Sequence, residues 1–169
     1  MKSIIQIQEH EFYNPSVELR LESERVVDFG KPLQDEIDEL ISVFHSWKIA
    51  VGLSAPQIGI RKRFAVININ KDKLGPDFVI VNPIITNQSG KKDIKFESCL
   101  SLPNVKGQVE RRYKIDLDYQ DRFGNNLQTN ADSFLARVIM HEIDHLNGIL
   151  FVDRMADDKK LELANFLWE

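Results

Sequence analysis

The stretch Asp132-Ser-Phe-Leu-Ala-Arg-Val-Ile-Met-His-Glu-Ile-Asp-His-Leu146 decides how the rest of the chain is read. Phe134, Val138, Ile139, Ile143 and Leu146 approximate an apolar stripe at helical spacing. Asp132 or Ser133 can cap its start, and Gly148 after Asn147 is a natural stop, so a helix is expected over about 132–146. Residues four apart stand one above the other on a helix face, so His141 and His145 can share one metal ion. Glu142 sits one step round, where its carboxylate reaches a water rather than the ion. The five residues His141 to His145 thus fit H-E-x-x-H, two metal-binding imidazoles with a proton-handling carboxylate between them. On their own they also fit two ordinary surface histidines, and a third ligand elsewhere would decide between the two readings.

The whole chain sets the bounds. It has 169 residues, 43% of them apolar and 28% charged, which suits one globular domain spanning 1–169 with a sizeable core. The net charge of −4 argues against direct nucleic-acid binding. No apolar run reaches membrane-spanning length, so no membrane partner is expected. The first ten residues read as neither a signal nor a transit peptide, and the expected location is the cytoplasm. A single cysteine, Cys99, forbids an intrachain disulfide. A lone cysteine is read as a small buried hydrophobe, a nucleophile or a metal ligand.

Working outward, Leu33, Ile37, Leu40, Ile41 and Phe44 predict an amphipathic helix from Pro32 to about Trp47. Ile4, Ile5 and Ile7 suggest a short strand, and Asn14-Pro15 a turn. Ala50 to Ile60 is rich in small residues, with Gly52, Pro56 and Gly59 breaking the helix. Strands are expected at 63–69 and at 78–82, joined by a turn at 74–77, with Pro83 ending the second. Ser89 to Lys92 reads as an exposed turn, and Phe96 to Leu102 as a strand stopped by Pro103. Residues 113–119 alternate as a half-buried strand, followed by a hairpin turn at 121–124 and a returning strand at 126–130. A short helix is expected from Asp157 to Trp168. The fold class is α+β, with mixed, mainly antiparallel strands around a buried central helix that carries the H-E-x-x-H residues.

Three segments stand out in order: Ala50-Val-Gly-Leu-Ser-Ala-Pro-Gln57, Glu97-Ser-Cys-Leu-Ser-Leu-Pro103 and His141-Glu-Ile-Asp-His145. Together they resemble the three motifs of the peptide deformylase family. Leu19-Arg20 and Gly148-Ile-Leu-Phe-Val-Asp-Arg154 extend the resemblance to about residue 155. It implies a metal-dependent hydrolase that removes the N-formyl group from the N-terminal methionine of new polypeptides and releases formate. It further implies Cys99, His141 and His145 as metal ligands, an open catalytic arrangement, with Fe2+ the usual ion and Zn2+, Ni2+ or Co2+ as alternatives. Glu142 becomes the base, with the Gln57 side chain and the Leu100 backbone N–H as oxyanion donors.

The Val51-Gly52 backbone becomes a rail for an extended substrate, and Val51, Phe134 and Val138 line its side-chain pocket. Glu97 is placed with these substrate-binding residues and paired with Arg111. Arg137 either turns its head to water or joins Glu97, and Asp144 orients a helix neighbour or a histidine. The partners are N-formylmethionyl nascent peptides, with ribosome contact left open. The chain departs from the family pattern at Ala50 and Ser98, which replace glycines, and at Ser54, which replaces an alanine. Ser98 is strained if its position needs positive φ. Two rival functions are a deformylase-like peptide-binding module without turnover and a zinc endopeptidase.

Overall fold

The chain runs α1 (Lys31–Ser46), β1 (Gly52–Ser54), β2 (Phe64–Ile67), β3 (Phe78–Cys99), β4 (Leu102–Gln120), β5 (Asn126–Asp132), α2 (Ser133–Leu146) and β6 (Glu162–Leu163). The computed structural model describes residues 2–11, 14, 17–70, 75–155 and 160–164. The strands form one sheet in the order β1-β2-β3-β4-β5, with β6 added to β4. All pairings between these strands are antiparallel.

The period-2 alternation of β2 explains the layering. Phe64 and Val66 pack into one core with Leu33, Ile37, Leu40 and Phe44 of α1. Ala65 and Ile67 face the other way, into a core with Ala136, Ile139, Met140 and Ile143 of α2. Every residue of β2 is therefore buried, and its sequence is a continuous apolar run. A third cluster gathers Cys99, Leu102, Val105 and Val109 against Leu150, Phe151 and Val152, the segment after α2.

The long hairpin of β3 and β4 departs most from the sequence expectation. Pro83 does not end β3. The pairing register shifts between Val81 and Ile84, and Asn82 turns into the left-handed region at φ 49°. This bulge accommodates a residue without an N–H, and the strand continues. Ser89 to Lys92 is likewise a register shift around Gly90, at φ 77°, and not a reversal of the chain. Pro103 sits second in β4 and ends nothing; the reversal is at Leu100-Ser101, between the paired residues Cys99 and Leu102.

Other differences are local. Asp132 is the N-cap of α2 but its side chain makes no capping bond, and Ser133 takes φ 53°. Phe134 leaves the buried stripe and is half exposed. Ile4, Ile5 and Ile7 form no strand, although Ile5 N–H donates to Gln57 O at 2.8 Å and Ile7 N–H to Ser101 O at 2.9 Å. In the tail, Glu162 and Leu163 pair with Lys106 and Val105 as a strand, not a helix. Residues 157–159 and 165–168 of the expected tail helix, Pro15 and Leu74 lie outside the described residues. Among the described residues no helix is long and apolar enough to cross a membrane.

The end of α2 is tied to the N-terminal segment. Ser23 N–H donates to Leu146 O at 2.9 Å, and Gly148 holds φ 71°. A Cβ on Gly148 would collide with the backbone carbonyl of Arg20. Gly148→Ala should therefore lower stability by at least about 2 kcal/mol from the left-handed backbone and the collision together. Urea unfolding checks this; an unchanged midpoint would contradict the close approach.

Candidate metal centre

A tight reversal delivers the cysteine. Cys99 is the last residue of β3, and Ser101 N–H points back to its Sγ at 3.4 Å. The carbonyls of this turn are taken up by the N-terminal segment, Ser101 O by Ile7 N–H and Leu100 O by Gln6 Nε2. So the turn that presents the sulfur is held against the N-terminal segment. Helical spacing delivers the histidines: His141 and His145 stand with ring centroids 4.9 Å apart. Cys99 Sγ lies 3.2 Å from His145 Nε2. One donor atom each from Cys99, His141 and His145 falls within 4.8 Å of the other two.

Glu97, two residues before the cysteine, organises the surroundings. Its Oε2 lies 3.0 Å from His141 Nδ1, which fixes that ring and leaves Nε2 for the centre. Arg111 bonds both carboxylate oxygens at 2.9 Å, and Arg137 Nη1 bonds Oε1 at 2.7 Å. Burial opposes the charge on Glu97, but the bonds from Arg111 and His141 outweigh it and hold the carboxyl well below the usual range. Glu97 lines the cavity, with both oxygens engaged by Arg111, Arg137 and His141.

Arg137 settles as the partner of Glu97: its head is buried and also bonds Val109 O and Asp93 O. Asp144 touches neither histidine ring through a hydrogen bond; it binds Arg111 at 2.6 Å and Arg154 at 2.6 Å. Asp144 thereby completes a chain of charges that runs inward from the exposed Arg154 to His141.

Glu142 and Gln57 sit at the same cavity. Glu142 is buried, and its Oε2 has no hydrogen-bond partner among the described residues. Burial pushes its carboxyl above the ordinary range, with partial relief from His141 and His145. Gln57 lies in a 3-10 turn, Ala55–Ile58, entered through Ser54. Its Oε1 accepts from Ser54 N–H at 2.9 Å, so Nε2 is turned toward Cys99 Sγ at 3.4 Å and Ser101 Oγ at 3.2 Å. The cavity, about 200 Å³, is lined by Val51, Gly52, Gln57, Leu100, Phe134, Val138 and Glu142 among others, with the Arg137 side chain on its wall. Ile49 and Phe96 complete its mouth; isolated apolar residues in a sequence gave no sign of that.

Do these residues fit a metal? Burial opposes ionisation of Cys99, but the neighbouring imidazoles hold the thiol well below its ordinary range. Burial likewise opposes charge on His141, while Cys99 and Glu97 hold it well above its ordinary value. A buried thiolate with imidazole nitrogens facing it stabilises positive charge at the point between them. One sulfur and two nitrogens are a donor set for zinc, iron, nickel or cobalt. The residues fit.

The chain is similar to known proteins in both sequence and fold. A sequence model of the Polypeptide deformylase family matches residues 1–161. The chain belongs to this family. It is 40% identical over 145 residues to the peptide deformylase of Prochlorococcus marinus (strain NATL1A), covering 85% of this chain and 71% of that one. It is 42% identical over 137 residues to that of Caldicellulosiruptor bescii, covering 81% and 79%. The crystal structure of a Synechococcus elongatus peptide deformylase in complex with actinonin superposes with a TM-score of 0.83 at 34% identity, over 93% of this chain and 82% of that one. The Thermotoga maritima peptide deformylase gives 0.80 at 31% identity, over 92% and 98%.

One departure from the deformylase pattern carries no strain. Ser98 lies in β3 and is not among the residues with positive φ, so it carries no backbone strain. Gly52 meets a tighter demand than clearance for a substrate: a Cβ there would stand 2.5 Å from Glu142 Oε1 and 2.9 Å from Val138 Cγ1. Arg111 had a legible signal. On β4 the odd positions 105, 107, 109, 111, 115 and 117 are buried, which puts a charge in an inward phase. Replacing Arg111 with Leu leaves Glu97 and Asp144 each without its central partner. The expected loss is about 3–5 kcal/mol, read by chemical denaturation of the metal-loaded protein. A loss below about 1 kcal/mol would mean that the network is not held as one unit.

Proposed function

We propose that this chain is a metal-dependent amide hydrolase that removes the N-formyl group from the N-terminal methionine of newly made polypeptides. Residues 1–169 form its one catalytic domain, with α2 as the central helix that carries the working residues. The observation that carries this reading is the convergence of Cys99, His141 and His145 beside Glu142 and Gln57 on one cavity. Cys99, His141 and His145 would hold a divalent ion, with Fe2+ the proposed native choice. Such an ion supplies Lewis acidity for the formyl carbonyl and lowers the pKa of an attacking water.

The residues do the remaining work. Glu142, buried and with a free oxygen, takes a proton from the attacking water. The oxyanion that develops on the formyl carbon is met by the Gln57 side-chain N–H and the Leu100 backbone N–H. Glu142 then returns its proton to the leaving nitrogen, and water plus formamide becomes formate plus a free amine. Glu97 keeps His141 in the tautomer with its Nε2 lone pair toward the centre.

Substrate recognition follows from β1, which occupies the end of the strand order. Its outer edge leaves Val51 and Gly52 to pair with an extended peptide. The methionine side chain enters among Val51, Phe134, Val138 and the stem of Arg137. The Arg137 charge is matched inside the protein by Glu97, so it does not select acidic side chains. Nascent chains place the work in the cytoplasm, and the ribosome is a candidate partner. An endopeptidase and a binding module without turnover find less support: the donor set contains a thiol, and the base is in place.

Two measurements test the reading with purified, metal-loaded protein and a formyl-Met peptide. Glu142→Gln should retain its metal and lose formate release by about 10²–10⁴-fold; near-normal turnover would refute the assigned base. Gly52→Ala should retain metal and lower kcat at least about tenfold, because its methyl group displaces the Glu142 carboxylate. Unchanged kcat would show that Glu142 tolerates the shift and is not held in one working position.

A further inference from the structure

Ser54 is fully buried, and its hydroxyl is used in a way that the reaction scheme above does not require. Gln57 Oε1 accepts the Ser54 backbone N–H at 2.9 Å, which identifies that atom as the amide oxygen, since a backbone N–H only donates. Ser54 Oγ lies 2.9 Å from the same oxygen and donates its single proton there; the Glu142 carboxylate is a second acceptor within reach of that hydroxyl. The oxygen end of the amide is thus held by two donors from one residue.

The consequence appears at the other end. The terminal torsion of glutamine is soft, and a single hydrogen bond leaves the amide plane room to swing. Two bonds to Oε1 fix the plane, and with it both N–H directions: one toward Ser101 Oγ at 3.2 Å, the other toward Cys99 Sγ at 3.4 Å. Donation into the carbonyl also polarises the amide and strengthens its N–H groups as donors. The family pattern has alanine at the Ser54 position, where only the backbone bond would remain.

We propose that Ser54 is a positioning residue that acts through Gln57, setting the aim of the N–H that meets the developing oxyanion. The inference rests on the reading of Gln57 as an oxyanion donor. Its energetic scale is that of one buried hydrogen bond, so the expected loss is about 3- to 10-fold in kcat.

A double-mutant cycle on the metal-loaded protein tests it, with formate release from a formyl-Met peptide and metal content measured in parallel. Ser54→Ala is expected to lower kcat 3- to 10-fold with KM and metal content unchanged. Ser54→Thr, which keeps the hydroxyl, is expected to restore most of the loss. Adding Ser54→Ala to Gln57→Ala is expected to cost nothing further, because the group through which Ser54 acts is already gone. Additive losses in the double variant would overturn the proposal. So would a loss confined to KM or to metal content, or a displaced acid limb of the pH profile, which would trace the effect to Glu142. A fully active Gln57→Ala overturns the oxyanion reading and this proposal with it. A Gln57→Ala crippled by about 10²–10³ beside an unimpaired Ser54→Ala overturns the Ser54 proposal alone.

Discussion

The contact on which the rest depends is the 3.2 Å approach of Cys99 Sγ to His145 Nε2, two residues 46 positions apart. Neither element could make the centre alone. A helix supplies two imidazoles on one face and no third donor in reach. A strand end supplies a sulfur and nothing beside it. The fold joins them by packing α2 across β2, β4 and β5 while the β3–β4 reversal turns Cys99 inward. The third cluster, from Cys99 through Val109 to Phe151, fixes the distance between turn and helix.

That arrangement requires charge to be buried. Arg111, Arg137, Glu97 and Asp144 are all at most 7% exposed. Leaving any of them unpaired would be costly, and their pairing is correspondingly complete: Asp144 between Arg154 and Arg111, Glu97 between Arg111, Arg137 and His141. A buried ion-pair chain adds little net stability over an apolar core, but it fixes direction. Here the direction fixed is that of the His141 ring. Glu142 is the exception in this neighbourhood, a buried carboxylate whose Oε2 has no hydrogen-bond partner among the described residues.

Much of this was legible in the chain. The stripe and stop signals placed α2 within a residue of its observed bounds, and the Pro32 helix likewise, because helical periodicity is a local property. The Cys-His-His grouping was legible only through resemblance, since no spacing rule connects position 99 to position 141. The hairpin strands β3 and β4 were read too short. Pro83 and Gly90 are ordinary breakers, but an antiparallel partner across the hairpin lets each be absorbed as a bulge. The tail at 162–163 fails for the opposite reason: its helical look is overridden by the free edge of β4 at Val105 and Lys106. The roles of Asp144 and the Ile5–Ile7 segment depend on contacts across distant parts of the chain and have no local signature, whereas Ser54 and Gln57 form a local S-x-x-Q capping pattern.

The central claim is that a thiolate from the hairpin and two imidazoles from α2 share one ion. X-ray absorption spectroscopy at the zinc edge of zinc-loaded protein measures this most directly. The account predicts one sulfur scatterer at about 2.3 Å, two imidazole nitrogens at about 2.0–2.1 Å and one further light atom. A shell without sulfur, or one filled by four protein ligands, would contradict it.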